Sequence, residues 1–192
     1  MIYNKVFSDY EVKESSIRFN DDNEISATKV GCVGSLEEAM DVKTVTKKCE
    51  GILVKSRTKG TGSGTLKVSL HMLWSLYVKA YGMVFTDKLA EGVYAYGKDS
   101  SHKEFTWTSK VLDEDDVVKY LAYPRCVISS GTAKKITNGE EEVAEIEMEI
   151  AVFPDDEGFG KYEAMESELT DDNIKTKWLT SFNYDLVKKT AV

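Results

Sequence analysis

The stretch Gly64–Met72, GTLKVSLHM, alternates strictly: Leu66, Val68, Leu70 and Met72 are apolar, and Thr65, Lys67, Ser69 and His71 are polar. A period of two puts successive side chains on opposite faces of an extended chain, so this is a strand with one face packed and the other wet. Glu141–Phe153, EEVAEIEMEIAVF, repeats the pattern, with Ile146, Met148, Ile150 and Val152 against Glu145, Glu147, Glu149 and Ala151. Two such runs make antiparallel sheet the organising principle.

Working outward, further strands are expected at about 25–33, 42–48, 50–57, 92–97, 104–112 and 118–130. Asn138-Gly139 favours a type I′ hairpin, because both central positions need positive φ. Gly60-Thr61-Gly62-Ser63-Gly64 reads as a flexible hairpin loop, and Lys98–Lys103 as another. One helix interrupts the strands. Met72–Gly82, MLWSLYVKAYG, sets Leu73, Leu76, Tyr77 and Ala80 at helical spacing, and Gly82 can end it. Asp155–Gly158 and Thr170–Asn173 read as exposed loops. Asn173–Val192 reads equally well as a last strand or a docking arm. The expected architecture is mainly β: a sandwich of antiparallel sheets with one flanking α-helix. It forms a single domain over 1–192, with an N-terminal arm at about 1–24 and a C-terminal arm at about 171–192.

The composition suits this. Among 192 residues, 42% are hydrophobic and 20 are aromatic, enough for a real core, and only two are proline. No apolar run has the length of a membrane span, and the N-terminal residues lack the apolar stretch of a signal peptide, so a cytosolic site of synthesis is expected. Cys32, Cys49 and Cys126 are odd in number and widely spaced, offering neither a disulfide framework nor a zinc site. The net charge of −8 argues against a direct grip on nucleic acid.

Little in the sequence points to catalysis. The two histidines, His71 and His102, fall on a polar strand face and in a charged loop, and no GxSxG elbow is present. The glycine run at 60–64 lacks the GK[ST] ending of a phosphate loop and leads into a strand. Asn20–Glu24 and Asp113–Asp116 are carboxylate-rich without the spacing of a calcium loop. No cofactor and no metal are expected. The row Glu145, Glu147 and Glu149 places three carboxylates on one sheet face. That is a solvated outer face in a monomer and a negative wall if several subunits closed around a channel.

Four segments, Cys49–Met72, Leu76–Met83, Tyr123–Gly131 and Asn138–Ile150, together with Gly160–Leu169, resemble the major tail proteins of siphophages that infect Gram-positive bacteria. The likeness is one of order and texture over roughly residues 28 to 170. It implies a structural virion protein that is not an enzyme: six copies form a ring, and rings stack into the tail tube through which DNA is ejected. The inner sheet of each subunit would join its neighbours in a continuous barrel. The implied partners are further copies of the chain, a tape measure protein in the lumen, and tail terminator and baseplate or distal tail proteins at the ends. Genomic DNA would pass through without specific binding. Assembly would take place in the host cytoplasm, and no membrane is involved. Lumen-facing candidates are Glu145, Glu147 and Glu149, with Lys67 on the second polar face. Inter-ring candidates are the loop Gly60, Thr61, Gly62, Ser63 and Gly64, and the stretches Ser35–Thr44 and Ser56–Gly64. Six copies at −8 each would put on the order of −48 on a ring. Two alternatives stand beside this: a tube protein of a contractile injection or secretion system, and a ligand-binding β-sandwich using Tyr94, Tyr96 and Trp107 as an aromatic row.

Overall fold

The alternation in Gly64–Met72 becomes the second half of a long strand. In the computed structural model, which describes residues 3–20, 24–84, 87–139, 141 and 143–189, eight strands form one antiparallel sheet. They are β1 (Glu11–Phe19), β2 (Thr28–Lys29), β3 (Gly31–Cys49), β4 (Ile52–Met72), β5 (Phe105–Leu112), β6 (Val118–Ile128), β7 (Ile146–Phe153) and β8 (Tyr162–Met165). Three helices accompany them: α1 (Trp74–Ala80), α2 (Asp172–Ser181) and α3 (Tyr184–Val187). Among the described residues no helix is long and apolar enough to cross a membrane.

The strand order is β2-β1-β5-β6-β7-β4-β3, with β8 added to the first half of β6. β2 and β3, at opposite ends of this order, are separated in sequence by Val30 alone. The sheet must therefore curl until its edges meet. Val30 is fully buried; its N–H donates to the Ser15 carbonyl of β1, and its carbonyl accepts from Leu73 N at the head of α1. The mainly β, antiparallel expectation holds. The two layers of the expected sandwich belong to one continuous, curled sheet.

Inside the curl lie the apolar halves of the alternating strands. Leu66, Val68 and Leu70 of β4 face Met148, Ile150 and Val152 of β7, with Phe19, Phe105, Trp107, Tyr123 and Ile128 closing the core. α1 adds Leu76, Tyr77, Val78 and Ala80 to the same cluster. A helix of seven residues with no side-chain cap is too short to stand alone, so this packing is what holds it. Cys126 is wholly buried, and burial pushes its thiol far above the ordinary range. It behaves as a small hydrophobe.

A polar tie joins layers that are not neighbours in the sheet. Glu38 of β3 accepts a hydrogen bond from the Tyr123 hydroxyl of β6 and pairs with Lys161 at 2.6 Å, which also pairs with Glu163 of β8 at 2.8 Å. Burial, and then the bond to Glu38, hold the Tyr123 phenol well above its usual range, so it remains a donor.

Several expectations are corrected. Of the stretch 1–24 read as an arm, Glu11–Phe19 is a strand inside the sheet, paired with β5. The strand expected at 92–97 is irregular chain. The Asn138-Gly139 turn exists, with Gly139 at φ 75°, yet no strand flanks it; it sits in the long connection between β6 and β7. The Asn20–Glu24 cluster falls mostly outside the described residues.

The C-terminal stretch, open between strand and arm, is α2 followed by α3. Asp171 caps α2 by accepting from Asn173 N at 2.8 Å, and Asn183 caps α3 by accepting from Leu186 N at 2.9 Å, so the polar run at 170–173 is a helix start. These helices set Trp178 and Phe182 against Tyr120 and Ala122, the outer-facing residues of β6. β6 is thus covered on both faces where it passes beneath them, which accounts for its nearly unbroken apolar run.

Trp178 is 2% exposed and donates its indole N–H to the Leu121 carbonyl at 3.0 Å. Trp178→Ala is expected to cost about 3 kcal/mol of stability, read as a lowered urea midpoint with an unchanged slope.

Candidate assembly surface

Among the described residues, two surfaces of the sheet are largely uncovered. The first is its polar outer face across β3, β4 and β7. Register places Glu37, Lys67 and Glu149 in one cross-strand row, Ser35, Ser69 and Glu147 in the next, and Ala39, Thr65 and Ala151 in a third. Glu147 and Glu149 are exposed on β7, as the alternation requires. Lys67 reaches Glu149 at 3.9 Å, both side chains more than half exposed, a pair worth no more than about 1 kcal/mol. Glu145 departs from the expected row. It precedes β7 and is half-buried, with its carboxylate over Gly34, where a Cβ would lie 2.0 Å from Oε1. The face is therefore acidic but interrupted by one cation.

The second surface is a two-stranded arm. β3 and β4 continue past the body as a hairpin from the Val42–Gly60 pair to the Cys49–Ile52 pair, eight residues of β3 and about 27 Å of ladder. Every residue from 41 to 61 is exposed, including Val42, Val45, Ile52, Leu53 and Val54 at 56–70%. The turn is Glu50-Gly51, both at positive φ (51° and 83°), a two-residue connection of the I′ kind. The stretches Ser35–Thr44 and Ser56–Gly64, expected as loops, are parts of β3 and β4 that run from the body through the root into this hairpin.

Gly60–Gly64 is likewise not a loop. The ladder runs through it, and Thr61, Gly62 and Ser63 face Asp41 alone in a bulge at the root of the arm. Thr61 Oγ1 bonds the Asp41 carbonyl at 3.2 Å and accepts from Ser63 N at 3.3 Å. Gly62 has φ 79°, and a Cβ there would lie 2.8 Å from the Gly158 carbonyl and 3.0 Å from Pro154. Glycine spacing suggested flexibility; here it serves a bend packed against the 154–160 loop.

The two faces of the arm differ. Lys43, Val45 and Lys47 share one face with Lys59, Arg57 and Lys55, their direct cross-strand partners. Thr44, Thr46, Ser56 and Thr58 fill the other, with Thr44 and Thr58 hydroxyls 2.8 Å apart. Like charges directly opposed, Lys43 with Lys59 and Lys47 with Lys55, destabilise a ladder, and an isolated two-stranded ribbon is marginal in water. Among the described residues none of these cations has an ion pair. Over residues 42–59 six cations and the single anion Glu50 give +5, leaving −13 on the rest of a chain whose total is −8.

The aromatic row proposed for ligand binding does not form. Trp107 is fully buried, while Tyr94 and Tyr96 lie in irregular chain, Tyr94 edge-on to Trp74. His102 makes its ring contacts with the Ile128 carbonyl at 2.6 Å and the Tyr96 hydroxyl at 3.0 Å; His71 stands on the exposed face of β4. Among the described residues, no group of three His, Cys, Asp or Glu side chains is placed to hold a metal ion.

The sequence matches no known family model and no curated protein. Among the solved structures similar to it are two from the anti-feeding prophage. A chain of the anti-feeding prophage baseplate is 10% identical, with 88% of this chain and all of that one covered and a TM-score of 0.43. A chain of the anti-feeding prophage cap, which terminates its tube, is 9% identical, with 84% and 96% covered and a TM-score of 0.39.

Gly62→Val is expected to cost about 1–2 kcal/mol, from the left-handed backbone alone, whereas Gly60→Ala, whose Cβ meets nothing within 4 Å, should change stability by less than about 0.5 kcal/mol. Paired urea titrations of the two variants read the difference.

Proposed function

We propose that this chain is a structural subunit of a phage-tail-type tube, of the siphophage major tail kind that its segments resemble, and that it is not an enzyme. The observation that carries the reading is the arm: some 27 Å of exposed ribbon, charged against itself and, among the described residues, without contacts to its own body beyond the root. A ribbon of this kind gains its stability from another chain. The arm accordingly belongs to contacts between subunits, and the Gly60–Gly64 bulge sets its direction.

On this reading the polar face of β3, β4 and β7 lines the bore. Its Ser, Thr, Ala and Glu side chains offer passing phosphates small groups and net negative charge, so DNA slides without being held. Glu147 and Glu149 form the negative wall; Lys67 and Glu37 share its central row. The exposed length of β3 gives neighbouring sheets an edge to join, which would close the barrel and remove the edge at once. Six-membered rings, a tape measure protein, terminator and baseplate partners, assembly in host cytoplasm and a final place in the virion tail complete the proposal.

Electron microscopy of the purified protein at rising concentration tests it. Stacked rings or tubes with a central bore are expected, and a uniform small particle at every concentration, with or without a tail-tip initiator, would overturn it. Replacing Lys43–Lys59 by Asn-Gly, which keeps Val42 opposite Gly60, should leave circular dichroism of the body intact and abolish tubes.

A further inference from the structure

The unpaired cations of the arm have a match on the body. Beside the arm's root lies a cleft of about 680 Å³ whose lining includes the carboxylates of Glu24, Glu104, Asp155, Asp156, Glu157 and Asp185 against two cations, Arg18 and Arg125. Some of these acids are already committed. Glu104 pairs with Arg125 at 2.9 Å, Glu24 with Lys79, and Asp185 with Lys188 at 2.6 Å. Asp155 holds its own loop, accepting from Glu157 N, Phe159 N and the Tyr162 hydroxyl. Asp156 and Glu157 are exposed and have no ion pair among the described residues. Other carboxylates are without an ion pair among the described residues, among them Glu114–Asp116, which project from a tight connection between β5 and β6, and Glu37 and Glu147, which stand on the open polar face of the sheet in and beside the row of Lys67. A concave wall excludes water and focuses the field in a way that a projecting turn does not.

We propose that the cationic face of the arm, Lys43, Lys47, Lys55, Arg57 and Lys59, seats against Asp156 and Glu157 in the cleft of a second copy of this chain. The contact rests on the self-assembly reading above and specifies its partner surface. Its outer half, Lys47 and Lys55, cannot reach the cleft of the same copy. Gly62 packs on Pro154 and Gly158, so the cleft adjoins the arm's root. Lys47 and Lys55 stand about 17 Å of ladder beyond that root, further than a lysine side chain reaches back. An arm-to-root contact joins two different surfaces, and such heterologous contacts repeat, closing into a ring or continuing as a helix.

The test uses the full chain with the photo-crosslinking residue benzoylphenylalanine in place of Val45, at the centre of the cationic face. Equal amounts of ¹⁴N and ¹⁵N protein are irradiated and the crosslinked peptides identified. Mixed-isotope crosslinks into residues 153–158 and 183–185 are expected, falling about tenfold between 50 and 500 mM NaCl as the charges are screened. Lys47→Glu with Lys55→Glu should abolish them, as should Asp156→Lys with Glu157→Lys. Mixing those two variants should restore mixed-isotope crosslinks, both from the acidic arm of the first to the lysine-bearing cleft of the second and from the unaltered arm of the second to the unaltered cleft of the first. All four positions are exposed, so folding is unaffected, which circular dichroism checks. Crosslinks confined to single chains, directed to the 113–116 turn, diverted to added duplex DNA, or absent at 50 mM salt would overturn the proposal. Tubes whose crosslinks miss the cleft would sink this contact and leave the tube reading standing; cleft crosslinks without rings or tubes would do the reverse.

Discussion

Everything in the body follows from the closure at Val30. A strand at one end of the sheet order and a strand at the other are joined by that single buried residue, whose two backbone groups bond to β1 and to the start of α1. A flat eight-stranded sheet cannot satisfy this connection. Curling brings the apolar halves of β4 and β7 to face those of β1, β5 and β6, so the one-residue link and the alternating pattern demand the same shape. Agreement between local pattern and global connection is what makes such a sequence specify one structure. The Glu38–Tyr123–Lys161 tie then fixes how far the layers stand apart, since a carboxylate with its donors in place would be costly to separate from them.

Much of this was legible in the sequence, for physical reasons. Period-two alternation in β4 and β7 is an unambiguous signal because one face is buried and the other is wet. β5 and β6 were found from their apolar and β-branched content, and α1 from its 3.6-residue spacing. β1 was missed. Its residues Lys13, Glu14, Ser15 and Ser16 interrupt the alternation, and the structure shows why: the register shifts between Lys13 and Ser16, and Glu14 takes a positive φ of 51°. The C-terminal helices were hidden because their apolar residues meet a second, small cluster on β6; the usable signals were the caps at Asp171 and Asn183.

The candidate surface was half legible. Glu147, Glu149 and Lys67 fall where alternation puts them, on one exposed face. Glu145 does not, since the strand begins one residue after it. The glycine run misled because glycine marks both loops and bulges, and only pairing across to Asp41 tells them apart. The arm's turn at Glu50-Gly51 carried a weaker composition signal than Asn-Gly, and the strands it joins are long, so the strands expected at 42–48 and 50–57 and the adjoining ends of two expected loops are in fact one ribbon. Its cations were visible individually; that they oppose one another across the ladder needed the register.

That opposition also bears on what free subunits do before they meet a partner. An exposed ribbon with open backbone edges is a template for indiscriminate pairing, and long edges are where sheet proteins aggregate. Two such ribbons approaching side by side would bring a dozen positive charges together, with Glu50 at each tip as the only relief. The same side chains that make the ribbon adhesive to carboxylates make it repellent to its own kind. Misassembly of ribbon on ribbon is disfavoured by the very groups that recommend the correct contact, and the discrimination is strongest in dilute salt, where like charges repel over the longest range.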